Sequence, residues 1–201
     1  MDSELEALKD HILAGLDSSV NGADIAFGEL TLHARREDIV NTIAFLKDDA
    51  LCKFTTMIDL CGAHYPGRER PLDVVYHLLS MQLNHRIRVK VTTDADTPVH
   101  TLVGVFPNAD WYEREAFDMY GIAFDEHPDL RRLLTDYGFE GHPLLKDFPL
   151  SGFVECRYDE ERKAVIYEAV NLPQEFRDFD FMSPWEGAKY VLDKDDKGEG
   201  A

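Results

Sequence analysis

LDVVYHLLSMQLNHRIRVKVTT, residues 72–93, holds two apolar-rich runs separated by Gln82-Leu83-Asn84-His85. In the second run Ile87, Val89 and Val91 alternate with Arg88 and Lys90. That period of two sends one set of side chains inward and the other toward water, as in a half-exposed strand. Two such runs across a short turn predict an antiparallel pair. FTTMIDLCGA (54–63) supplies a further strand, joined to the pair through Tyr65–Pro71, where two prolines and a glycine break regular structure. IAFGELTL (25–32) reads as one more strand.

Leu5, Leu8, Ile12 and Leu16 recur at helical spacing, and so do Ile39, Ile43 and Leu46 within Glu37–Ala50. Helices laid on a mostly antiparallel sheet make an α+β fold. Asp94–Pro98 breaks the pattern, after which Val99, Leu102, Val103 and Phe106 predict a short helix stopped by Pro107. Asn108 is a suitable N-cap for the next helix, with Ala109, Tyr112, Ala116 and Met119 on one face and Gly121 as its terminator. Its other face carries Asp110, Arg114 and Asp118 four apart, a ladder of opposite charges. Pro128 is expected to open another turn of helix. Beyond Asp136, glycines and prolines predict an irregular segment ordered by contacts. Residues 153–170 read as a hairpin turning at Asp159–Arg162. The expected organisation is an α+β domain over 1–150, then a hairpin and an extended C-terminal arm over 151–201.

The chain has 201 residues, 44% of them hydrophobic, enough to bury a core. Its net charge of −18 repels phosphate backbones and anionic lipid, so no nucleic-acid partner and no direct membrane anchoring are expected. No apolar run approaches the roughly 20 residues that cross a bilayer. The acidic N-terminus resembles neither a signal nor a transit peptide, which points to the cytosol or the cytosolic side of a larger assembly. Cys52, Cys61 and Cys156 are too few for an all-cysteine cluster and form no C-x-x-C pair. Reduced, mostly buried thiols are expected.

EREAFDMYGIAFDEHPDLRRLL (113–134) crowds acids and arginines around aromatic side chains. A catalytic reading would gather Asp118, His127, His142 and Asp147 around a metal ion, as in a metal-dependent hydrolase. No H-E-x-x-H-type spacing supports it, and both histidines precede proline, which favours extended backbone. No G-x-S-x-G elbow, no dinucleotide fingerprint and no P-loop occur. A solvated helix face is the plain alternative for Glu113, Arg114, Glu115 and Asp118. The nearby Arg131 and Arg132 favour a third reading, because forked guanidinium–carboxylate pairs lock irregular segments in place. Such pairing fixes geometry more than it adds stability, which suits a rigid platform.

NLPQEFRDFDFMSPWE (171–186) and the following residues have no steady period, yet carry Phe176, Phe179, Phe181, Trp185 and Tyr190. Burying one such ring contributes roughly 1.5–3 kcal/mol. These rings must lie either against the chain's own domain, since apolar burial needs only a nearby surface, or on a partner protein. The partner is the expectation, since aromatics and arginine concentrate at interface centres.

EREAFDMYGIAFDEHPDLRRLLTDYGFEGHPLLKDFP (113–149) resembles, nearly position for position, the motif of the thirty-kilodalton subunit of respiratory complex I, the C subunit of bacterial NADH–quinone oxidoreductase. NLPQEFRDFDFMSPWE is similar to that family's closing segment. The two stretches cover about a quarter of the chain. The resemblance implies a structural subunit of the hydrophilic arm that clasps the large quinone-site (49-kilodalton-type) subunit. FMN and iron–sulfur clusters would reside in partner subunits, with no catalytic, cofactor or metal residue here. It further implies a place on the cytoplasmic side of a bacterial inner membrane, held there only through partners. Glu113, Arg114, Asp118, Arg131, Arg132, His142 and Lys146 are expected to build the platform or meet the neighbour. Phe176, Arg177, Phe179, Phe181 and Trp185 would lie in the wrapping arm. Kindred subunits of membrane-bound hydrogenases and of the photosynthetic NADH-dehydrogenase-like complex are the alternative within this resemblance.

Overall fold

The computed structural model of the chain describes residues 2–172 and 174. The chain divides into two compact units, Met1–Gly152 and Phe153–Ala201. The first contains α1 (Asp2–Gly15), β1 (Val20–Ala26), β2 (Glu29–Ala34), a 3-10 turn (Arg36–Asp38), α2 (Ile39–Asp48), β3 (Thr56–His64), β4 (Leu72–Ser80) and β5 (His85–Thr93). The short strands β6 (Val99–His100) and β7 (Phe124–Asp125) flank α3 (Ala109–Tyr120).

The five long strands form one sheet in the order β1-β2-β5-β4-β3. All neighbours are antiparallel except β2 and β5, which run parallel. One row of partners, Leu32–Val89–Tyr76–Leu60, crosses four strands and is buried throughout. Ile12, Ile39, Ile43 and Leu46 from the first two helices are buried in the same core. The adjacent row, Thr31–Arg88–His77–Asp59, is polar. There Arg88 Nε donates to His77 Nε2 at 3.1 Å and Nη1 donates to Thr31 Oγ1 at 3.2 Å. A one-residue slip would exchange these rows, so the alternation fixes the register.

The single strand expected over 25–32 is instead the end of β1, a turn and the start of β2. Phe27 (φ 54°) and Gly28 (φ 75°) make the two-residue turn in left-handed backbone. The apolar run continues through Ala26 and Phe27, which disguises the reversal. The helix expected over 99–106 is also corrected. Val99 and Thr101 donate backbone N–H groups to Ala123 and Asp125 at 2.9 and 3.0 Å, holding this stretch extended beside β7. Helical spacing survives only as one turn, where Phe106 N donates to the Leu102 carbonyl at 2.8 Å. Tertiary pairing overrides local propensity there.

Helix α3 lies against β3. Asn108 stands at its N-cap, but the side-chain amide donates to the Met57 carbonyl at 3.0 Å and makes no cap bond. Tyr120 covers Gly62 so closely that a Cβ added there would sit 2.4 Å from the ring. Gly121 (φ 76°) ends the helix as expected. Pro128 and Asp129 form a non-helical turn, because the segment is pinned by side-chain contacts. Of the cysteines only Cys52 is buried; Cys61 and Cys156 are exposed, contrary to the expectation of mostly buried thiols, since both sit on half-open strands.

In the second unit, β8 (Val154–Asp159) and β9 (Ala164–Ala169) pair antiparallel. Asp159 Oδ1 accepts the Glu161 and Arg162 N–H groups, both at 2.9 Å, and so shapes the turn. Phe176, Arg177, Phe179, Phe181 and Trp185, assigned above to the arm, lie outside the described residues.

Candidate docking platform

Asp118 projects from the last turns of α3 and is fully buried. Its Oδ2 accepts three consecutive backbone N–H groups, from Leu133 (3.0 Å), Leu134 (2.7 Å) and Thr135 (2.9 Å). Its Oδ1 accepts from the Thr135 hydroxyl at 2.7 Å and from Arg132 Nη1 at 2.9 Å. Burial pushes this carboxyl upward, but the Thr135 hydroxyl and the three amides outweigh it and hold the group down at about 2. One carboxylate thus organises a chain reversal that has no periodic structure of its own.

Arg132 extends the network. Its Nη1 also reaches the Gly141 carbonyl at 3.0 Å, and the guanidinium lies 5.9 Å from the Phe139 ring centre. Arg114, buried on α3, donates to the Arg131 carbonyl at 3.1 Å and the Arg132 carbonyl at 3.5 Å. The ladder expected along α3 is therefore not how these charges pair. Arg114 satisfies backbone carbonyls, Asp118 pairs with Arg132, and Asp110 faces His127 at 3.5 Å. Arg131 contributes its carbonyl, while its exposed side chain pairs locally with Asp129 at 2.7 Å. His142 packs beneath Gly121, and its Nδ1 lies 2.9 Å from the Asp118 carbonyl. Lys146 is anchored through its backbone N–H, which donates to His64 Nδ1 at 2.9 Å, and its side chain is exposed.

Glu113 belongs to a neighbouring buried cluster. Its carboxylate accepts the Leu102 N–H at 2.7 Å and the Thr101 hydroxyl. Burial raises it to about 7, against the lowering effect of those two donors and with help from Asp110. His127 is buried beside it: Nδ1 accepts the Asp129 N–H at 3.0 Å, which leaves the Nε2 proton facing the Asp110 carbonyl at 3.2 Å. These groups tie the β6–β7 region to α3.

Thr101, Thr135 and Gly141 are participants that the charge pattern did not single out. Thr135 follows the Arg-Arg-Leu-Leu run by one residue, and its hydroxyl and amide both point back at Asp118. Beside exposed charged side chains such as Asp129, Arg131, Asp136 and Lys146, the frame also holds four large apolar ones outward. Leu134 is 59% exposed, Tyr137 103%, Leu144 45% and Leu150 87%. All four lie within the irregular 131–150 stretch.

His127 and His142 are turned to different backbone partners. Among the described residues the grouping with metal-ligand spacing is His11, Asp49 and Cys52, and neither platform histidine is in it. His11 Nε2 lies 2.9 Å from Asp49 Oδ1, which also accepts the Leu51 N–H. Burial and the neighbouring Asp49 push the Cys52 thiol up to about 12. The trio is satisfied as a hydrogen-bonded staple between α1 and the end of α2.

Known proteins match the chain along nearly its whole length. The family described as respiratory-chain NADH dehydrogenase, 30 Kd subunit, matches residues 32–154. The C subunit of the NADH-quinone oxidoreductase of Maricaulis maris is 61% identical over 200 residues, covering all of both chains. The C subunit from Xanthobacter autotrophicus is 59% identical, covering all of this chain and 96% of the relative. That from Caulobacter vibrioides is 60% identical, covering 99% of this chain and all of the relative. A chain of the membrane-bound sulfane sulfur reductase, an archaeal respiratory membrane complex, shares the fold: TM-score 0.62 at 22% identity, over 72% of this chain and 85% of that one. The chain belongs to the thirty-kilodalton subunit family of respiratory-chain NADH dehydrogenase, the C subunits of NADH-quinone oxidoreductase.

Proposed function

We propose that this chain is a structural subunit that docks, through the 113–150 segment, on the large quinone-site subunit of NADH:quinone oxidoreductase, and that it carries no redox centre. In this reading electrons pass from NADH through FMN and iron–sulfur clusters held by partner subunits to quinone, coupled to proton translocation. The supporting observation is the Asp118 network. A buried carboxylate with five hydrogen-bond donors holds rigid a segment that exposes Leu134, Tyr137, Leu144 and Leu150 among its charged side chains. Rigidity achieved before contact lowers the ordering cost of association. No helix among the described residues is long and apolar enough to cross a membrane, in keeping with attachment to a bacterial inner membrane, on its cytoplasmic side, through partners.

The test is an ultraviolet–visible spectrum of the purified chain before and after dithionite, followed by capture of the other subunits. The expected spectrum holds only aromatic absorbance, and the chain retains one large partner. A chromophore that bleaches overturns the absence of a redox centre. A folded chain that captures nothing overturns the docking role. A chain ended at residue 170 is expected to fold yet fail to join the assembly, because it lacks the aromatic segment.

A further inference from the structure

Cys52 is the one thiol of the three that the fold buries, and its surroundings are not apolar alone. Its Sγ donates to the Asp49 carboxylate, and Asp49 Oδ1 lies 2.9 Å from His11 Nε2. One ligand atom from each residue, an imidazole nitrogen, a carboxylate oxygen and the sulfur, lies within 4.8 Å of the other two. Around a tetrahedral ion with bonds of about 2.0–2.3 Å, neighbouring ligand atoms stand about 3.3–3.6 Å apart. The trio closes on such an ion with shifts on the order of 1 Å.

The spacing and the supports fit this use. Asp49 and Cys52 come from one short connection, and His11 from a helix 38 residues earlier. A close pair with a distant third ligand lets one ion join two elements. The connection is set by its own backbone bonds. Asp49 N–H donates to the Phe45 carbonyl at 3.0 Å, Lys53 N–H to the Asp49 carbonyl at 3.0 Å and Phe54 N–H to the Leu46 carbonyl at 2.9 Å. Directly after Cys52, Lys53 holds left-handed backbone (φ 46°), which a lysine rarely adopts unless its surroundings impose it. Asp49 Oδ1 also accepts the Leu51 N–H at 2.9 Å, an orienting bond of the kind that ligating carboxylates have. On α1, Leu8 and Ile12 are buried on either side of His11, and its ring centre lies 6.2 Å from that of Phe45.

Charge and access favour a cation as well. Asp49 is the C-cap of α2, at the end of the helix dipole that attracts positive charge. The His11 and Asp49 side chains are 34% and 22% exposed, which gives an ion an entrance and leaves room for a water as fourth ligand. Cys52 closes the dry end. A thiolate, an imidazole and a carboxylate together suit zinc, whereas magnesium and calcium take oxygen ligands. The thiol proton is released to solvent as the metal–sulfur bond forms.

We propose that His11, Asp49 and Cys52 bind a zinc ion that clamps α1 to the α2–β3 connection, with the hydrogen-bonded staple as the metal-free form of the same site. The family resemblance implies no metal ligand in this chain. The site is argued from its geometry and is independent of the docking platform. Zinc has a filled d shell and does no redox chemistry, so it adds no redox centre.

The test titrates cobalt(II), a coloured stand-in for zinc, into the full chain kept reduced. One equivalent is expected to raise a sulfur-to-cobalt charge-transfer band that zinc then erases. The band is expected to persist in Cys61→Ser with Cys156→Ser and to vanish in Cys52→Ser. No band, or one that survives Cys52→Ser, overturns the proposal. Because Cys52 lies in the core, a second variant spares it. His11→Gln keeps an N–H donor for Asp49 and loses the imidazole ligand. Zinc is expected to raise the Tm of the parent by mass action, and its apparent Kd is expected to be about tenfold or more weaker in His11→Gln. A variant that gains as much from zinc as the parent contradicts the site and leaves the staple as the whole role of the trio.

Discussion

Arg132 Nη1 meets Asp118 Oδ1 at 2.9 Å across fourteen residues of chain, and the same nitrogen reaches the Gly141 carbonyl at 3.0 Å. One guanidinium thereby joins the end of α3 to both sides of the 131–142 loop. Removing its buried partner leaves four further donors unmet. Asp118→Ala is expected to cost about 3–5 kcal/mol, read as a lowered Tm with early proteolytic cutting between 131 and 142. A variant as stable as the parent would show that the network is ornamental.

The same carboxyl sets an acid limit. Its folded value of about 2 lies below the ordinary 3.8, so the folded state favours the ionised form. That stability is fully present above about pH 4 and is lost as pH falls toward 2. It amounts to about 2 kcal/mol. In Asp118→Asn the decline in stability over this window is expected to be shallower than in the parent, in chemical unfolding at pH 4.5, 3.5 and 2.5. Parallel curves would remove Asp118 as the cause.

Glu113 acts in the opposite sense. Held at about 7 against an ordinary 4.5, it favours folding in its protonated form. Its contribution is full below about pH 4.5 and is lost as pH rises through 7, a change of about 3 kcal/mol. Glu113→Gln keeps an acceptor for the Leu102 N–H and removes the charge. The variant is expected to gain stability relative to the parent at pH 8 but not at pH 5. Equal differences at the two pH values would contradict a buried, titrating Glu113.

Gly62 tests how α3 is seated. Gly62→Ala would place a methyl group 2.4 Å from the Tyr120 ring. Overpacking of that kind costs about 1–3 kcal/mol. Tyr120→Leu in the same chain is expected to restore part of the loss, by opening space above the added methyl. No cost from Gly62→Ala alone would mean that α3 shifts freely on β3.

Alternation makes the sheet legible in the sequence, because Ile87, Val89 and Val91 face a core that accepts only one register. The β1–β2 turn is hidden because Phe27 is apolar and left-handed at once, where asparagine or glycine would have signalled the reversal. Val99–Phe106 carries helical spacing, but its backbone partners come from residues 123 and 125, which no local window contains. At the platform the charged residues are visible and their partners are not. Asp118 binds three amides, and amides carry no sequence signature. The exposure of Leu134 and Tyr137 likewise depends on that reversal and not on their neighbours in the chain.

The docking role proposed for the ionic frame depends on the apolar side chains it holds exposed, Leu134, Tyr137 and Leu144. Leu134→Glu, Tyr137→Glu and Leu144→Glu together leave the frame untouched and alter only what it presents. The expected result is a folded chain, within about 1 kcal/mol of the parent, that is missing from the purified complex. A triple variant recovered in the complex at full yield would contradict the claim.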